Sequence, residues 1–445
     1  MSDSNTSAVS RPPSLTQRSV VLAAAFLGWM FAGMEIALFV LIHRPAMVSL
    51  LGGSPGQPVN EQLVTQWFAW YQAAFLFGAA SGGWVFGWLG DRCGRTQSLA
   101  LSVLCYSILT GACYWATSPW ELLLLRFLAC HGIGGAWPNT VALVAEAWPA
   151  ASRPFLAGLL GTAANVGQVL MGVVGLVCDV TAESWRWVFL VGAMPAVLGM
   201  YCLRGVPESA KWLASKAQPK PHDGGPLREL FQPPLRQRIF IGILLGAIPV
   251  IGTAANAQWI IPWTDQVAAQ KHAAAVAAAT SDQLARPRAD PKSKARAQIA
   301  RSGGAVFGSL LGGILATLLG RRTTYFLISL LSLAASTFVF GWLYPGHPWF
   351  YAASFGFGLV GVIYFGWLPL YLPELFPTRV RATGTGISFN TGRTVAAFVV
   401  LGTGLLVRSF GGNYAKIGLW TGMIYALGMV IILFAPRTDG GTLKD

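Results

Sequence analysis

Hydrophobic residues occur in twelve long blocks that are separated by short polar segments. A helix needs about 20 apolar residues to cross a hydrocarbon layer about 30 Å thick. Barrel strands need only about 10 residues of alternating polarity, so the lengths of the blocks favour helices. The pattern therefore predicts an all-α membrane protein with twelve transmembrane helices. Their predicted bounds are 19–42, 63–89, 96–117, 119–147, 155–178, 185–205, 238–263, 302–320, 323–344, 348–375, 384–407 and 416–435.

The composition agrees with a membrane protein and argues against several other classes. Of the 445 residues, 54% are hydrophobic and 11% are charged, which is more apolar surface than one soluble core could bury. The six cysteines show no paired spacing, so neither a disulfide framework nor a metal site is expected. Five histidines and no nucleophile cluster argue against an enzyme. No Walker sequence is present, which argues against an ATP-driven pump, and we expect no cofactor.

The formal charge of +14 is distributed as in membrane proteins, so we expect no nucleic-acid partner. If both termini are cytoplasmic, that side carries 18 Lys and Arg residues and the opposite side carries 11, of which 7 fall in one long loop, 264–301. Long loops cross a membrane regardless of charge, so the relevant comparison is 18 against 4. The sequence thus predicts cytoplasmic tails at 1–18 and 437–445, with the lipid bilayer as the surroundings of the protein.

An internal repeat divides the chain into two related halves. At an offset of 226 residues, Gly78, Gly82, Gly87, Gly94 and Arg95 coincide with Gly304, Gly308, Gly313, Gly320 and Arg321. At an offset of 228, "EAWPAASR" coincides with "ELFPTRVR". The repeat predicts two pseudo-symmetric six-helix bundles, 19–205 and 238–436, joined by a linker over 206–237. The loop 264–301 has no counterpart in the first half; its Ala-rich start could be helical, and "RPRADPKSKARAQ" is typical of disorder.

The segment "GWLGDRCGR", residues 87–95, places three charged residues between two uncharged helices. It resembles the Gly-x-x-x-Asp-Arg-x-Gly-Arg signature of the major facilitator superfamily. The resemblance implies alternating access and a cytoplasmic latch that involves Asp91 and Arg95. In the second copy, "GGILATLLGRR", Thr317 stands where Asp would be, which weakens any latch in that half. The gate residues expected on this basis are Asp91, Arg92, Arg95, Glu146, Arg153, Arg321, Glu374 and Arg381.

Further motifs resemble particular branches of that superfamily. "PESAKWL", residues 207–213, is similar to the motif that follows the sixth helix of sugar and organic-ion porters. "PELFPTRVRATGTGISFNTGR", residues 373–393, resembles those porters and bacterial organic-acid symporters. The seventh helix, "GAIPVIGTAANAQWIIPW", lacks the Gln-Gln pair with which sugar porters hold hydroxyl groups. This departure disfavours a sugar as the substrate.

Three ionisable side chains stand out inside the predicted helices, where the cost of burial makes each a candidate for function. Glu35, in "GWMFAGMEIALF", resembles a carboxylate of sialic-acid and aromatic-acid proton symporters, although Ala32 replaces the first Asp of their pattern. We expect Glu35 to carry a proton and Arg126 to tune it; the alternatives are a structural ion pair and a hydrogen-bonding role. Arg393 could hold a substrate carboxylate through two hydrogen bonds, unless an intramolecular partner such as Glu374 neutralises it.

Polar and aromatic residues at helix-interior positions are candidates for lining a central cavity. We expect substrate contacts from Arg393, Asn165, Gln168, Asn390, Trp137, Trp259, Tyr364 and Trp367. The alternatives are bonds between helices for the amides and lipid-facing packing for the aromatic rings. His131 could relay protons, but a hydrogen-bonded packing role is favoured.

Taken together, the sequence predicts a secondary transporter that moves a small organic solute, in particular an organic anion, coupled to protons. We expect a monomer in the bacterial inner membrane. The alternatives are proton-driven efflux of drug-like compounds, a sugar porter, or a non-transporting membrane sensor on the same scaffold. Uptake by the purified protein in liposomes separates a transporter from a sensor.

Overall fold

The computed structural model describes residues 14–52, 60–148, 153–210, 212–213, 230–278, 292–377 and 381–438. Within these ranges the chain is helical without β-strands, and the predicted all-α membrane fold is confirmed. The α-helices are numbered here in chain order: α1 Leu15–Leu50, α2 Glu61–Cys93, α3 Arg95–Ala112, α4 Pro119–Ala147, α5 Arg153–Val177, α6 Val188–Ala193, α7 Ala196–Gly205, α8 Leu235–Ile251, α9 Ile260–Ala278, α10 Ser293–Leu318, α11 Arg321–Gly341, α12 Phe350–Glu374, α13 Arg381–Ser409, α14 Tyr414–Gly422 and α15 Ile424–Phe434.

These helices form twelve segments that correspond to the twelve hydrophobic blocks. In the described ranges, eleven segments are long and apolar enough to span a membrane. Three of them consist of two consecutive helices, α6 with α7, α8 with α9, and α14 with α15. The twelfth segment is α4, which is less apolar because it carries Arg126, His131 and Asn139. It packs against α2 and α3 as a member of the bundle.

The internal repeat of the sequence is visible in the packing of two helix pairs. Helix α2 packs against α4 in the first half, and α10 packs against α12 in the second. In both pairs, two glycines one turn apart lie so close to backbone carbonyls of the facing helix that a Cβ would overlap them. The facing residues are Gly78 with Phe127, Gly82 with His131, Gly304 with Phe355, and Gly308 with Leu359. The two halves therefore contain copies of one packing unit.

The turn between α2 and α3 is fixed by Gly94 and by Glu208 of the "PESAKWL" motif. Gly94 has φ 114° and its repeat counterpart Gly320 has φ 82°, a conformation that favours glycine. The Glu208 carboxylate accepts hydrogen bonds from the backbone N–H groups of Arg95, at 2.9 Å, and Thr96, at 3.1 Å. These N–H groups begin α3 and have no partner within the helix, so an acidic side chain stabilises them. We call the end of the bundle with this turn the motif end, and the opposite end the far end.

The segment predicted as an external loop, 264–301, is shorter than expected. Helix α9 continues to Ala278 and α10 begins at Ser293, so the prediction of disorder is wrong for residues 293–298. Residues 279–291 lie outside the described part of the chain.

The basic side chain of Lys294, at the start of α10, is buried against partners from other segments. Lys294 is 3% exposed, donates a hydrogen bond to the Val180 carbonyl at 3.0 Å and lies 3.9 Å from the Asp265 carboxylate. A helix can therefore begin here although it carries a buried charge, because other parts of the fold supply a carbonyl and a carboxylate as partners for Lys294. Composition alone does not reveal such partners, which is why this stretch resembled a solvated loop.

The two halves meet along two helix pairs, α5 with α10 and α2 with α13. A Cβ on Gly172 would lie 2.6 Å from the Ile299 side chain, whereas one on Gly158, nearer the motif end, would lie 3.8 Å from that of Leu310. The contact between α5 and α10 is therefore tighter toward the far end. The bond from Lys294 to the Val180 carbonyl also joins the halves there. Along α5 and α10, the described conformation is thus closed at the far end.

Gly308→Ala is expected to destabilise the protein, because the added methyl group would overlap the Leu359 carbonyl of α12. Overpacking of this kind costs roughly 1–3 kcal/mol. Gly356→Ala is a matched control, since a Cβ at this position in α12 meets no atom within 4 Å. Thermal unfolding in detergent should show a lower melting temperature for Gly308→Ala only. Equal melting temperatures for both variants would contradict the packing unit.

Candidate functional site

A buried acid–base pair lies in the first half, where α1, α3 and α4 meet. The Glu35 side chain on α1 is 1% exposed, and its Oε2 accepts a hydrogen bond from the Thr110 hydroxyl on α3 at 2.7 Å. Arg126 on α4 places Nη1 3.8 Å from the same Oε2. The structure therefore brings together the two residues that the sequence paired, and it adds Thr110, which the sequence did not identify.

Arg126 is fixed by more than its ionic contact with Glu35. Its Nη2 donates a hydrogen bond to the backbone carbonyl of Glu35 at 3.2 Å, and its guanidinium lies 5.2 Å from the centre of the Phe39 ring. The ion pair itself is long, and Oε1 of Glu35 has no hydrogen-bond partner within the described protein. The carboxyl group is therefore held close to a positive charge, while one of its two oxygens has no hydrogen bond within the described protein.

Arg393 lies on α13 in the second half and is partly buried. Its guanidinium stacks 4.6 Å from the centre of the Phe389 ring, and it has neither a hydrogen bond nor an ion pair with any described residue. Glu374, its candidate partner from the sequence, instead forms an ion pair with Arg321 at 2.8 Å and accepts a hydrogen bond from Thr438 at 2.6 Å. Glu374 therefore does not neutralise Arg393.

A second buried guanidinium, Arg301 on α10, was missed because the sequence placed it in a loop. It is 3% exposed, and its Nη2 donates a hydrogen bond to Oε1 of Gln168 on α5 at 2.7 Å. The repeat contained a signal for it. Adding the offset of 226 to the predicted second helix, 63–89, would have started the eighth helix near 289 and placed Arg301 inside the bundle.

Two of the three predicted amide residues, Gln168 and Asn390, lie at contacts between helices. Gln168 bonds across the halves to Arg301. Asn165 is 8% exposed and donates only a long hydrogen bond, 3.4 Å, to the Gly161 carbonyl of its own helix. The Asn390 side chain on α13 faces Gly83 on α2, where a Cβ would lie 2.7 Å from its oxygen. Gln168 and Asn390 therefore lie on the two helix pairs that join the halves.

The four predicted aromatic residues lie in separate packing contacts. Trp137 is partly buried and pairs with Trp29, with ring centres 4.9 Å apart. Trp259 is fully buried, and its ring centre lies 4.9 Å from that of Phe68 in the other half.

Tyr364 and Trp367 are fully buried inside the second half. The Tyr364 hydroxyl donates a hydrogen bond to Ser329 at 2.7 Å, and the Trp367 indole donates one to the Arg321 carbonyl at 2.9 Å. Helix-interior positions on these segments face the core of a half, so depth along the helix does not identify the side that faces a cavity.

The predicted gate residues form two equivalent ion pairs at the motif end, each within one half. Arg95 Nε lies 3.4 Å from Glu146 Oε1, and Arg321 Nη2 lies 2.8 Å from Glu374 Oε1. These pairs correspond under the sequence repeat. Arg92 stacks on Trp88, with its guanidinium 4.7 Å from the ring centre. The side chains of Asp91, Arg153 and Arg381 lie outside the described part of the chain.

His131 takes part in packing between α2 and α4. Its Nε2 lies 3.1 Å from the Ser81 hydroxyl, and its Nδ1 lies 3.0 Å from the Phe127 carbonyl. Both ring nitrogens are thus engaged, which agrees with the packing role that the sequence favoured.

The comparison with family models gives two matches. Residues 18–279 match the Major Facilitator Superfamily model, and residues 305–445 match the model for Sugar (and other) transporter. The first match covers more than half of the chain. The protein is thus an integral membrane protein built as a transporter. The chain belongs to the major facilitator superfamily.

Individual proteins show which members of the family the chain is similar to. It is 27% identical over 376 residues to the "Probable 4-methylmuconolactone transporter" of Cupriavidus pinatubonensis, covering 82% of this chain and 81% of the relative. It is 26% identical over 338 residues to the "Cis,cis-muconate transport protein" of Acinetobacter baylyi, covering 74% and 76%. The inward open conformation of the xylose transporter XylE from E. coli matches with a TM-score of 0.69 and 19% identity, over 96% of this chain and 98% of that one. This last likeness shows the fold alone.

Removing Arg126 while keeping Glu35 should destabilise the protein, because it leaves a buried carboxylate without its cation; losses of about 3–5 kcal/mol are typical. Arg126→Gln is therefore expected to lower the melting temperature, and the added change Glu35→Gln should restore part of the loss. Thermal unfolding of the two single variants and the double variant measures this coupling. Strictly additive effects would mean that the two side chains do not interact.

Proposed function

We propose that the protein is a proton-coupled transporter of small organic anions that works by alternating access. The observation that carries the proposal is the pair of arginines inside the second half. Neither Arg301 nor Arg393 has a carboxylate partner among the described residues, and both lie in membrane-spanning helices. A substrate carboxylate would supply the opposite charge.

The physical chemistry of a buried guanidinium favours an anion over a neutral solute. A cation taken out of water without an opposite charge is costly, and the cost falls when an anion binds beside it. A planar guanidinium can donate two parallel hydrogen bonds to one carboxylate, which fixes both position and orientation. A sugar hydroxyl offers neither the charge nor that geometry.

The relatives support the same class of substrate. One is named for transport of cis,cis-muconate, a carboxylic acid, and another for transport of 4-methylmuconolactone. The match of residues 305–445 to a sugar transporter model keeps a sugar porter as the second candidate. Uncompensated positive charge in the interior also disfavours efflux of cationic drugs, because like charges repel.

Proton coupling would use the pair formed by Glu35 and Arg126. When Glu35 releases its proton, Arg126 stabilises the carboxylate; when the proton returns, the guanidinium loses its ionic partner and keeps its bond to the backbone carbonyl. The two protonation states thus differ in one contact that links α1 to α4, and this difference can bias a conformational equilibrium. We further propose that the protein acts as a monomer in the bacterial inner membrane, with the motif end and both termini cytoplasmic.

Glu35→Gln should abolish proton-driven accumulation but leave exchange of substrate across the membrane largely intact, because the amide cannot carry a proton. Proteoliposomes loaded with substrate measure exchange, and an imposed pH gradient measures accumulation. Glu121→Gln, at an exposed position near the start of α4, is the control and should behave as wild type. Full accumulation by Glu35→Gln would refute the role of Glu35.

Arg393→Ala should weaken binding of an acid more than binding of its amide, since only the acid carries a charge. A thermal-shift screen with cis,cis-muconate and benzoate, each paired with its amide, measures the difference, because a ligand that binds the folded state raises the melting temperature. Arg408→Ala, exposed at the end of the same helix, controls for the loss of one charge. Equal losses for acid and amide in Arg393→Ala would contradict a carboxylate clamp.

A further inference from the structure

We propose that Arg301 is an anion-binding residue whose empty-state partner is Gln168, and that a substrate carboxylate displaces the Gln168 oxygen and so weakens the contact between the two halves. The proposal rests on the transport of organic anions proposed above. It identifies which interior arginine links anion binding to the movement of the halves.

Several hydrogen-bond donors meet at the side-chain oxygen of Gln168. Its single side-chain oxygen accepts from Arg301 Nη2 at 2.7 Å, from the Ser302 hydroxyl at 3.2 Å and from Gln298 Nε2 at 3.4 Å. A neutral amide oxygen has two lone pairs, so the longest of these three contacts exceeds its capacity. Gln298 Nε2 donates its shorter bond, 2.7 Å, to the Ser302 hydroxyl. A carboxylate, with two oxygens and about four acceptor positions, would satisfy such a set of donors better.

Burial makes the charge of Arg301 significant. Arg301 is 3% exposed, while Gln298 and Ser302 are fully buried. The Nε of Arg301 is buried and has no hydrogen-bond partner within the described chain. No described Asp or Glu side chain pairs with this guanidinium either. The guanidinium is therefore held by a neutral oxygen, and no carboxylate among the described residues compensates its positive charge.

The hydrogen bond between Arg301 and Gln168 crosses the boundary between the halves. Gln168 belongs to α5 of the first half, and Arg301 belongs to α10 of the second. On one side of this bond the helices are packed at Gly172 and Ile299, and on the other they approach more loosely at Gly158 and Leu310. The bond therefore lies where close packing gives way to a looser contact.

If a substrate carboxylate replaces Gln168 as the partner of Arg301, the bond between the halves is broken when the substrate binds. With no anion present, the guanidinium is held by Gln168 from the opposite half. An acid offers a charged acceptor and can replace the amide, whereas a neutral analogue cannot match the bond that it would break. Arg393 makes no described bond to the first half, so Arg301 alone of the two has this connection.

The test uses full-length purified protein and the variant Gln168→Glu, which supplies an internal carboxylate to Arg301. Without ligand, this variant should have a higher melting temperature than wild type, because the buried cation gains a counter-charge. Its apparent Kd for cis,cis-muconate or benzoate, whichever stabilises the wild type more, should rise by about tenfold or more. Arg301→Gln should lose acid binding by a similar factor while its response to the amide is unchanged. Arg296→Gln, exposed on the same helix, should match wild type.

The outcomes separate this inference from the proposed function. If the wild type binds an acid but Gln168→Glu binds it equally well, or Arg301→Gln behaves as Arg296→Gln does, the role of Arg301 is overturned while anion transport stands. A melting temperature of Gln168→Glu below wild type also overturns it. If no acid stabilises the wild type, anion transport is overturned; a raised melting temperature of Gln168→Glu would still show that Arg301 accepts a carboxylate.

Discussion

An ionised side chain inside the hydrocarbon layer needs a partner that compensates its charge. The two halves of this transporter differ in how they provide that partner. In the first half, Glu35 and Arg126 lie on neighbouring helices and face each other. In the second half, Arg301 is bonded to a neutral amide and Arg393 to an aromatic face. Among the described residues, the charges inside the first half are therefore balanced, whereas the interior of the second half carries uncompensated positive charge. This asymmetry, in an otherwise repeated fold, is the basis for assigning an anionic substrate to the second half and the proton to the first.

The internal repeat provides the close glycine contacts within each half. Glycines that contact facing carbonyls hold α2 against α4 and α10 against α12 within each half. The contacts between the halves are of a different kind, because they include polar bonds such as those of Lys294 and Gln168. Polar bonds can exchange partners with a ligand or with water at little net cost, whereas the glycine contacts have no alternative partner. In the proposed mechanism, stability and movement thus depend on separate sets of residues.

Much of the fold follows from the sequence because lipid leaves few choices. Long apolar blocks must become helices, and the offset of 226 residues pairs equivalent helices correctly. The pairing of Glu35 with Arg126 could also be predicted from the sequence, because few residues inside the hydrophobic blocks can neutralise a charged side chain. The start of α10 could not, since Lys294 and Arg301 are stabilised by partners far away in the sequence. The directions of Tyr364 and Trp367 were likewise hidden, because a segment that is apolar on all sides does not reveal which side faces a cavity.

The central claim is that the protein carries an acid together with a proton. The most direct measurement compares uptake of benzoate and benzamide by wild-type protein in liposomes with a pH gradient, an alkaline interior and no membrane potential. Protein-free liposomes under the same gradient correct for passive entry of the acid. The account predicts protein-dependent accumulation of benzoate that collapses when a protonophore dissipates the gradient, and no accumulation of benzamide. Equal accumulation of both compounds, or accumulation of benzoate that survives the protonophore, would contradict it.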